Sequence, residues 1–450
     1  MAVFRRKRHL ALVLAALTLP ALLIIYYAVF PANAERVQIR GQMVAPPGPP
    51  PGYDGKLQAF AQVIDLIEQN YVEAKTGKEI IYGAIQGAVS TLDPHSSFMT
   101  PDEFRELQIE TKGRFSGIGI EITLKDRVLT VVSPIEGTPA FRAGLMAGDQ
   151  IVKIDGKPTR NMNLTEAVRL IRGTKGSKVT LTINRQGFTQ PKDFAIVREI
   201  IPIRSVKARL IDDGIGYIRL ANFQDQTDND LRNYLRKMRQ RLKPFKGLVL
   251  DLRNDPGGLL EQAVQVADEF LSSGLIVYTQ GRNAQQSMRF YARPGQEGEV
   301  KNLPVVVLIN EGSASASEIV AGALKDQKRA VVVGTKSFGK GSVQTIIPLE
   351  DGSALRLTTA LYYTPSGQTI NEKGIVPDIV VKEPEAPAGK SLQALRDEAL
   401  ERHMRGEGLT DRPWDKPLTK EELERDAALA KAVEILRTWP PKMAKQPASS

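Results

Sequence analysis

The sequence predicts an α/β protein in which a strand-rich domain precedes a parallel sheet covered by helices. Beyond Ile201 the pattern strand, tight turn, helix repeats: LVLDL leads into GGLLEQAVQVADEFL, and VVVLIN leads into SASEIVAGAL. Strands such as Pro304–Ile309 and Ala330–Val333 are apolar on both faces, which is typical of a buried parallel sheet. Residues 113–199 instead contain alternating stretches such as KVTLTIN, which predict half-buried strands.

Composition excludes several kinds of active site. The 450 residues, 42% of them hydrophobic, are enough for two or more packed domains. There is no cysteine, so disulfides, thiolate nucleophiles and cysteine-bound zinc are excluded. Only His9, His95 and His403 are present, without paired spacing, and we expect no metal site and no cofactor. A Ser-His-Asp triad could use only His95 or His403, so an activated serine would need another base.

The net charge of +10 is partly due to the N-terminus, where Arg5, Arg6, Lys7 and Arg8 precede Ala34 without any acidic residue. Without residues 1–34 the net charge is +6. The remaining basic residues are scattered over predicted helix faces and are not interleaved with aromatic residues, as a single-strand binder would require. We therefore predict a solvated surface and no nucleic-acid partner.

Residues 1–34 are predicted to be a targeting segment. The basic residues precede an apolar stretch whose 21-residue centre, LALVLAALTLPALLIIYYAVF, lies before Ala32-Asn33-Ala34. This order predicts a signal peptide with an A-x-A cleavage site, and the stretch is also long enough to remain as a membrane anchor. Both alternatives export the rest of the chain, to the periplasm or to the outer face of the inner (cytoplasmic) membrane.

Five further segments follow from changes in pattern. They are a proline- and glycine-rich linker at 35–56, a helical region at 57–112, a strand-rich domain at 113–200, the α/β core at 201–384, and a polar, partly helical region at 385–450. In the last region, helices are predicted at 392–403 and 420–439. For the two helical regions the default expectation is a structural or dimerising role.

A glycine-bearing loop opens into a strand at GIGIEI, residues 117–122. Such a loop can present consecutive backbone N–H groups to a carboxylate, and its strand can accept an extended peptide by strand addition. A plain turn is the alternative for the loop alone. Downstream, AGLMAGDQI at 143–151 and the D-G turn at 155–156 closely resemble bacterial PDZ domains.

The PDZ resemblance implies binding of apolar C-terminal tails in a groove lined by Ile118, Gly119 and Ile120. Arg142 lies in the segment where some related proteins use an arginine to couple the PDZ position to a protease domain. A surface arginine is the alternative at that position.

The densest catalytic signal is EGSASASE, residues 311–318, between an apolar strand and a helix. The small side chains stand at a helix N-terminus, where free N–H groups and the helix dipole favour negative charge. Ser315 in this place can be a nucleophile whose developing oxyanion meets backbone donors. The alternative is helix capping, for which serine is preferred.

Lys340 lies in GTKSFGKGSVQ, residues 334–344. A lysine with its ordinary pKa of about 10.4 is a poor base near neutrality, but burial lowers the pKa of an ammonium group. A Walker A loop is excluded because Gly341 stands where serine or threonine is needed. Ser337 and Lys340 match the S-x-x-K pattern of penicillin-interacting enzymes, but the glycines favour a loop, and S-D-N and K-T-G are absent. Ser337 is therefore the weaker nucleophile candidate.

These motifs, together with LDPHSSFM at 92–99 and LDLRNDPGG at 250–258, resemble the C-terminal processing (tail-specific) proteases from about Leu57 to Pro377. The resemblance implies an α/β fold: a crotonase-like protease core, an inserted PDZ domain, and helical N- and C-terminal regions.

By motif position, Ser315 matches the nucleophile of that family, Lys340 its base, and Gln344 the residue that orients the lysine. The resemblance also implies an oxyanion hole made by a glycine amide of the DLRNDPGG loop and the amide of Ala316. Gly258 is preferred over Gly257 as the glycine donor.

The function implied is that of an exported serine endopeptidase that recognises C-terminal tails of proteins through its PDZ domain and uses a Ser-Lys dyad. Its partners would be proteins or peptides with apolar tails, and the resemblance leaves open a homo-oligomer, a membrane anchor and an adaptor lipoprotein. A non-catalytic PDZ adaptor would leave the motifs at 311–344 unexplained. A crotonase-type acyl-CoA enzyme would share the core, but export would separate it from the CoA pool.

Overall fold

The computed structural model describes residues 54–382 and 417–439, apart from residues 126, 136, 212, 213 and 297. The predictions for residues 1–34 and 392–403 lie outside this part of the chain, as does the predicted linker except for its last three residues. Within the described ranges, no helix is both long enough and apolar enough to cross a membrane.

The chain divides into two compact units after Asn70. In the first unit, the described residues form one helix, α1 (Asp54–Asn70). Four of its large apolar side chains are exposed to solvent: Leu57, Phe60, Val63 and Leu66. The elements described below all belong to the second unit.

The predicted N-terminal helical region contains helices α2 (Gly77–Ser90) and α3 (Pro101–Lys112). The hydroxyl of Thr100 caps α3 by accepting the N–H of Glu103. Between the two helices, strand β1 (Ser97–Met99) pairs with a strand of the core, which the helical prediction missed.

The strand-rich domain is an antiparallel sheet with its own apolar core. Its order is β3-β4-β5-β7-β8, with β6 paired to β5, so β3 is an edge strand. A ribbon of β2 and β9 lies where the chain enters and leaves this domain. Its elements are β2 (Arg114–Gly117), β3 (Ile120–Lys125), β4 (Val128–Pro134), α4 (Pro139–Arg142), β5 (Gln150–Ile154), β6 (Lys157–Pro158), α5 (Leu164–Ile171), β7 (Lys178–Asn184), β8 (Lys192–Val197) and β9 (Glu199–Pro202).

The core contains a six-stranded sheet that is parallel except between its first two strands, which confirms the predicted parallel sheet. Every residue of its three central strands is buried, in agreement with their largely apolar sequences, and the one charged residue among them, Asp251, is buried as well. In order across the sheet, the strands are β10 (Val206–Ile211), β11 (Ile215–Leu220), β12 (Gly247–Asp251), β15 (Val305–Ile309), β16 (Val331–Gly334) and β19 (Ile379–Val380).

Helices cover both faces of this sheet. On one face, α6 (Thr227–Arg241), α7 (Leu260–Asp268) and α8 (Ala316–Asp326) pack on side chains such as Leu248. The other face, which includes Val249, is covered by the C-terminal α10 (Ala427–Arg437), preceded by α9 (Lys420–Glu424). A polar region with a helix at 420–439 is predicted for this part of the chain, and its described residues contain α9 and α10. The apolar side of α10 is buried against the sheet and completes the core. Each fully buried Leu or Val contributes about 1.5–3 kcal/mol.

A further antiparallel sheet adjoins the core. The strand-turn-helix repeat in the sequence does not predict it. Its longest strand, β18, pairs with β17, β13 and β1, and β13 also pairs with β14. The strands are β13 (Leu275–Gly281), β14 (Arg289–Tyr291), β17 (Ser342–Pro348) and β18 (Ala354–Tyr363).

The loops that follow β12, β15 and β16 carry the motifs found in the sequence. Carboxyl ends of parallel neighbours lie at one edge of a sheet, where α/β proteins form their binding sites. The segments 252–259, 310–315 and 335–341 therefore meet at that edge.

Candidate active site

Ser315 lies in the turn from β15 to α8, with φ 55° and ψ −111°. An ordinary N-cap is extended, as Thr100 is, with φ −60° and ψ 163°. Sparsely populated backbone conformations cost on the order of 1–3 kcal/mol, and they cluster at active sites. The strained turn therefore favours a nucleophile at Ser315 over a simple helix cap.

The neighbouring serines have structural roles. The hydroxyls of Ser313 and Ser317 are fully buried and donate to the backbone carbonyls of Leu252 and Asp255, at 2.8 and 2.7 Å. Ser337, the weaker candidate from the sequence, is 5% exposed, and its hydroxyl accepts the N–H of Ile375. Ser315 is more exposed than these three residues.

Lys340 lies half-buried in the loop between β16 and β17. Burial lowers the pKa of its ammonium group, and the positive charge of Arg356 lowers that pKa further. A Cβ at Gly341 would lie 2.1 Å from the backbone nitrogen of Asn371, so this loop requires glycine beside the lysine. Both causes of the shift favour the neutral amine, the form that a general base needs.

Glu318 joins the serine turn to the lysine loop. Its side chain is fully buried, and one carboxylate oxygen accepts the N–H of Ser315 at 2.8 Å and that of Lys340 at 2.9 Å. The other oxygen accepts the Ser337 hydroxyl at 2.6 Å and the Gly339 N–H at 2.7 Å. Burial raises the pKa of Glu318, and these hydrogen bonds oppose the shift.

Sequence reasoning did not identify Glu318 as a functional residue. The S-x-x-E spacing from Ser315 to Glu318 is the pattern of a capping box, which could have indicated it. The hydrogen bonds between Glu318 and the lysine loop depend on tertiary structure, so the local sequence does not indicate them.

The backbone around Gly258 distinguishes the two candidate oxyanion donors. The N–H of Gly257 is already bonded to the carboxylate of Asp255 at 2.8 Å. Phe223 lies on one side of the Gly257–Gly258 peptide. The Phe223 N–H donates to the Gly257 carbonyl, and the Phe223 carbonyl accepts the N–H of Leu259, both at 2.9 Å. Because N–H and C=O of a trans peptide point in opposite directions, the Gly258 N–H points away from Phe223.

The N–H groups of Gly258 and Ala316 have no hydrogen-bond partner among the described residues. The loops that carry them are in contact, because a Cβ at Gly257 would lie 2.9 Å from both the Ala316 nitrogen and the Ser315 Cβ. This arrangement leaves two unpaired donors beside Ser315 and supports Gly258, rather than Gly257, as the glycine of the oxyanion hole.

Gln344 lies on β17, and its side chain does not bond Lys340. The amide nitrogen donates instead to the hydroxyls of Thr358 and Ser342, at 2.9 and 3.1 Å. Within the described part of the chain, the Lys340 ammonium makes no hydrogen bond or ion pair. The lysine-orienting role of Gln344 thus stays a prediction that this geometry does not support.

The predicted peptide-binding residues adjoin the open edge of the PDZ sheet. Ile118 is 1% exposed, and Ile120 begins the edge strand β3. Gly119 has φ 78°, and a Cβ there would lie 2.4 Å from the Cβ of Thr138. The edge is thus open to an added strand, and the loop before it requires glycine.

Arg142 pairs with Glu199 at 2.5 Å, and both side chains are about half exposed. Glu199 begins β9, which leads from the PDZ domain back to the core. This contact links α4 to the connecting ribbon, and a coupling role of Arg142 remains a prediction.

Within residues 54–382 and 417–439, no group of three or more His, Cys, Asp or Glu side chains is placed to hold a metal ion. The functional groups that the structure places at this edge are a serine, a lysine, backbone N–H donors and buried carboxyl groups.

An α/β core with a strained serine beside a half-buried lysine, together with a peptide-binding PDZ domain, defines a serine-type peptidase with a recognition module. Residues 214–381 match the family model of peptidase family S41, residues 130–185 that of the PDZ domain, and residues 33–103 that of the activating protease CtpB N-terminal domain.

The carboxy-terminal-processing protease of Bartonella bacilliformis is 48% identical over 360 residues, which are 79% of this chain and 82% of the relative. The carboxy-terminal processing protease CtpA of Bacillus subtilis is 36% identical over 334 residues, 74% of this chain and 70% of the relative. Among solved structures, the photosystem II D1 C-terminal processing protease is 29% identical with a TM-score of 0.42, covering 80% of this chain and 99% of that one.

This chain belongs to the carboxy-terminal processing proteases of peptidase family S41. The resemblance seen in the sequence, the α/β fold with a PDZ domain, and the serine-type peptidase class are thereby confirmed. Its substrates are peptides or proteins.

Proposed function

We propose that this chain is an exported endopeptidase that captures C-terminal tails in its PDZ groove and cleaves peptide bonds with the dyad Ser315–Lys340. The observation that carries this proposal is the position of Glu318, which binds the backbone of both residues with one carboxylate oxygen. Holding two groups in a fixed relation is what a nucleophile and its base require.

In the proposed reaction, neutral Lys340 accepts the hydroxyl proton of Ser315 as the serine oxygen attacks the scissile carbonyl carbon. The carbonyl electron pair moves to oxygen, and the Gly258 and Ala316 N–H groups stabilise the resulting oxyanion. When the C–N bond breaks, the protonated Lys340 gives its proton to the leaving amine. A water molecule, deprotonated by Lys340, then attacks the carbonyl carbon of the acyl-Ser315 ester. The ester C–O bond breaks, the peptide leaves with a new C-terminal carboxyl group, and Lys340 returns the proton to the Ser315 oxygen.

A cleft of about 1050 Å³ supports the delivery of substrate from the PDZ domain to the dyad. It is lined on one side by α5 of the PDZ domain, including Leu164 and Val168, and on the other by α3. Arg356, whose charge acts on Lys340, also lines it. We propose that a segment held by the PDZ domain passes along this cleft toward the active site.

Export is proposed on the basis of the basic and apolar pattern of residues 1–34. The pattern fits either a cleaved signal peptide or an anchor, and the catalytic domain lies outside the cytoplasm in both cases.

Digestion of a peptide library separates a protease from a PDZ adaptor. We expect the wild-type chain to cleave peptides with apolar free C-termini and Ser315→Ala to bind the same peptides without cleaving them. Mass spectrometry of the products and fluorescence anisotropy of labelled peptides measure the two properties. Binding without turnover by the wild type would indicate an adaptor, and cleavage by Ser315→Ala would exclude this nucleophile.

Replacing Gly119 with alanine should weaken tail binding without affecting the chemical step. The new Cβ meets Thr138, and the positive φ is unfavourable for alanine, so the start of β3 must shift. We expect an affinity loss of about tenfold for tailed peptides, corresponding to about 1.4 kcal/mol. The kcat for short peptides without an apolar tail should stay the same.

Gly187→Ala is the matched control for Gly119→Ala. Gly187 also has a positive φ, 93°, but nothing lies within 4 Å of the added Cβ. Equal affinity losses in both variants would show that backbone strain in the PDZ domain, rather than the loop before β3, determines the effect.

A further inference from the structure

Asp255, at the start of the glycine loop, is a buried carboxyl group with incomplete hydrogen bonding. The residue is 0% exposed, and its Oδ1 accepts the Gly257 N–H at 2.8 Å. Its Oδ2 is buried and has no hydrogen-bond partner among the described residues. An ionised carboxylate is strongly disfavoured under such conditions, whereas the protonated acid is tolerated.

Asp255 also connects the glycine loop to the serine turn. Its backbone carbonyl accepts the Ala314 N–H at 2.9 Å and the Ser317 hydroxyl at 2.7 Å. The bond from Gly257 to its side chain fixes the peptide that precedes the Gly258 donor. One residue therefore contacts both segments from which the two unpaired N–H groups project.

We propose that Asp255 is a positioning residue that acts as a neutral carboxylic acid, and that its ionisation slows acyl transfer. In the neutral form it orients the Gly257–Gly258 peptide toward the developing oxyanion. In the ionised form it places a second negative charge near that oxyanion, in a water-excluded site where charge repulsion is strong. This inference rests on the proposed serine–lysine function.

The charges around Asp255 are compatible with a protonated acid at neutral pH. Burial raises the pKa of Asp255 to about 8, and the hydrogen bond from the Gly257 N–H to its carboxyl group opposes this rise. Arg219 on β11 lowers the pKa, and Asp251 at the end of β12 raises it. The two nearby charges thus act in opposite directions, and desolvation determines the shift.

The proposal predicts a bell-shaped dependence of kcat on pH. The rate rises with pH as Lys340 loses its proton and falls at alkaline pH as Asp255 loses its own. Asp255→Asn keeps an oxygen acceptor for the Gly257 N–H and cannot ionise. We expect the variant to retain kcat at the optimum within about threefold and to lose the alkaline limb, along which the wild type falls about tenfold per pH unit.

Asp228→Asn is the control, since Asp228 on α6 is likewise buried with an unpartnered carboxylate oxygen and a pKa raised by burial. It lies outside the catalytic loops, so its pH profile should match the wild type. Persistence of the alkaline limb in Asp255→Asn, or its loss in Asp228→Asn, overturns the role of Asp255.

Arg219→Gln provides a second measurement that does not depend on the folding of Asp255→Asn. The positive charge of Arg219 lowers the pKa of Asp255, so its removal should move the alkaline limb to higher pH. A limb that stays in place contradicts the proposal. If the wild-type chain hydrolyses no peptide at any pH, the serine–lysine function itself is refuted. If the bell-shaped pH profile of the wild type persists in Asp255→Asn, only the inference about Asp255 is refuted.

Discussion

Lys340→Arg should lower kcat by at least about 10³-fold, although it keeps a long, basic side chain at this position. Arginine remains protonated at any pH at which the protein is folded, so it cannot accept the Ser315 proton. The wild-type rate should rise with pH through the lowered pKa of Lys340 and then level off until any alkaline limb begins. Steady-state kinetics from pH 6 to 10 with a tailed peptide measure both effects.

Lys336→Arg is the matched control for this experiment. Lys336 lies in the same loop but is exposed, and its replacement should leave kcat and its pH dependence unchanged. Activity of Lys340→Arg within tenfold of the wild type would contradict a proton-accepting role for Lys340.

The parallel sheet was predictable because β12, β15 and β16 are buried on both faces and are therefore apolar except for Asp251 at the end of β12. The docking of α10 on that sheet was not predictable from the sequence. Besides the apolar contacts, it includes an ion pair in which the Arg253 guanidinium donates to both carboxylate oxygens of Asp426, the residue before α10, at 2.9 and 2.7 Å. These residues are 173 positions apart, and neither has a local pattern that indicates its partner.

The dyad was predicted from two motifs, but the orientation of Gln344 was not. Gln344 lies directly opposite Thr358 in the register of β17 and β18, and the register shifts between Val343 and Gln344. Paired side chains across antiparallel strands lie close together, and a bulge changes the direction of those that follow it. The amide therefore reaches the Thr358 hydroxyl, an outcome determined by strand pairing rather than by the motif.

The burial of the Asp255 carboxyl group was likewise not predictable from the sequence. Its neighbours in LDLRNDPGG identified a glycine loop, but an aspartate in a turn is ordinarily a solvated or turn-forming residue. Its burial follows from the contact of this loop with the turn at Ala314 and with β11 and β12. Burial of a carboxyl group in a loop is a tertiary property that sequence periodicity does not carry.

Glu318→Gln should reduce kcat by about 10²-fold and the free energy of unfolding by about 2–4 kcal/mol. The carboxylate now accepts four hydrogen bonds, two on each oxygen. A glutamine amide places two N–H donors where one of those oxygens was, so two buried donors lose their acceptor. The serine turn and the lysine loop can then separate, and a displacement of about 1 Å is enough for the loss of rate.

Measuring kcat at a temperature well below the unfolding midpoint distinguishes a positioning role of Glu318 from a purely structural one. If Glu318 served only stability, the folded variant would keep the wild-type kcat, whereas a positioning role lowers kcat in the folded protein. The KM for tailed peptides should change little, because the PDZ groove is untouched. Glu311→Gln, an exposed glutamate at the start of the same motif, controls for the loss of charge and should behave as the wild type. The positioning role of Glu318 therefore requires that kcat falls in the fully folded Glu318→Gln variant and stays at the wild-type value in Glu311→Gln.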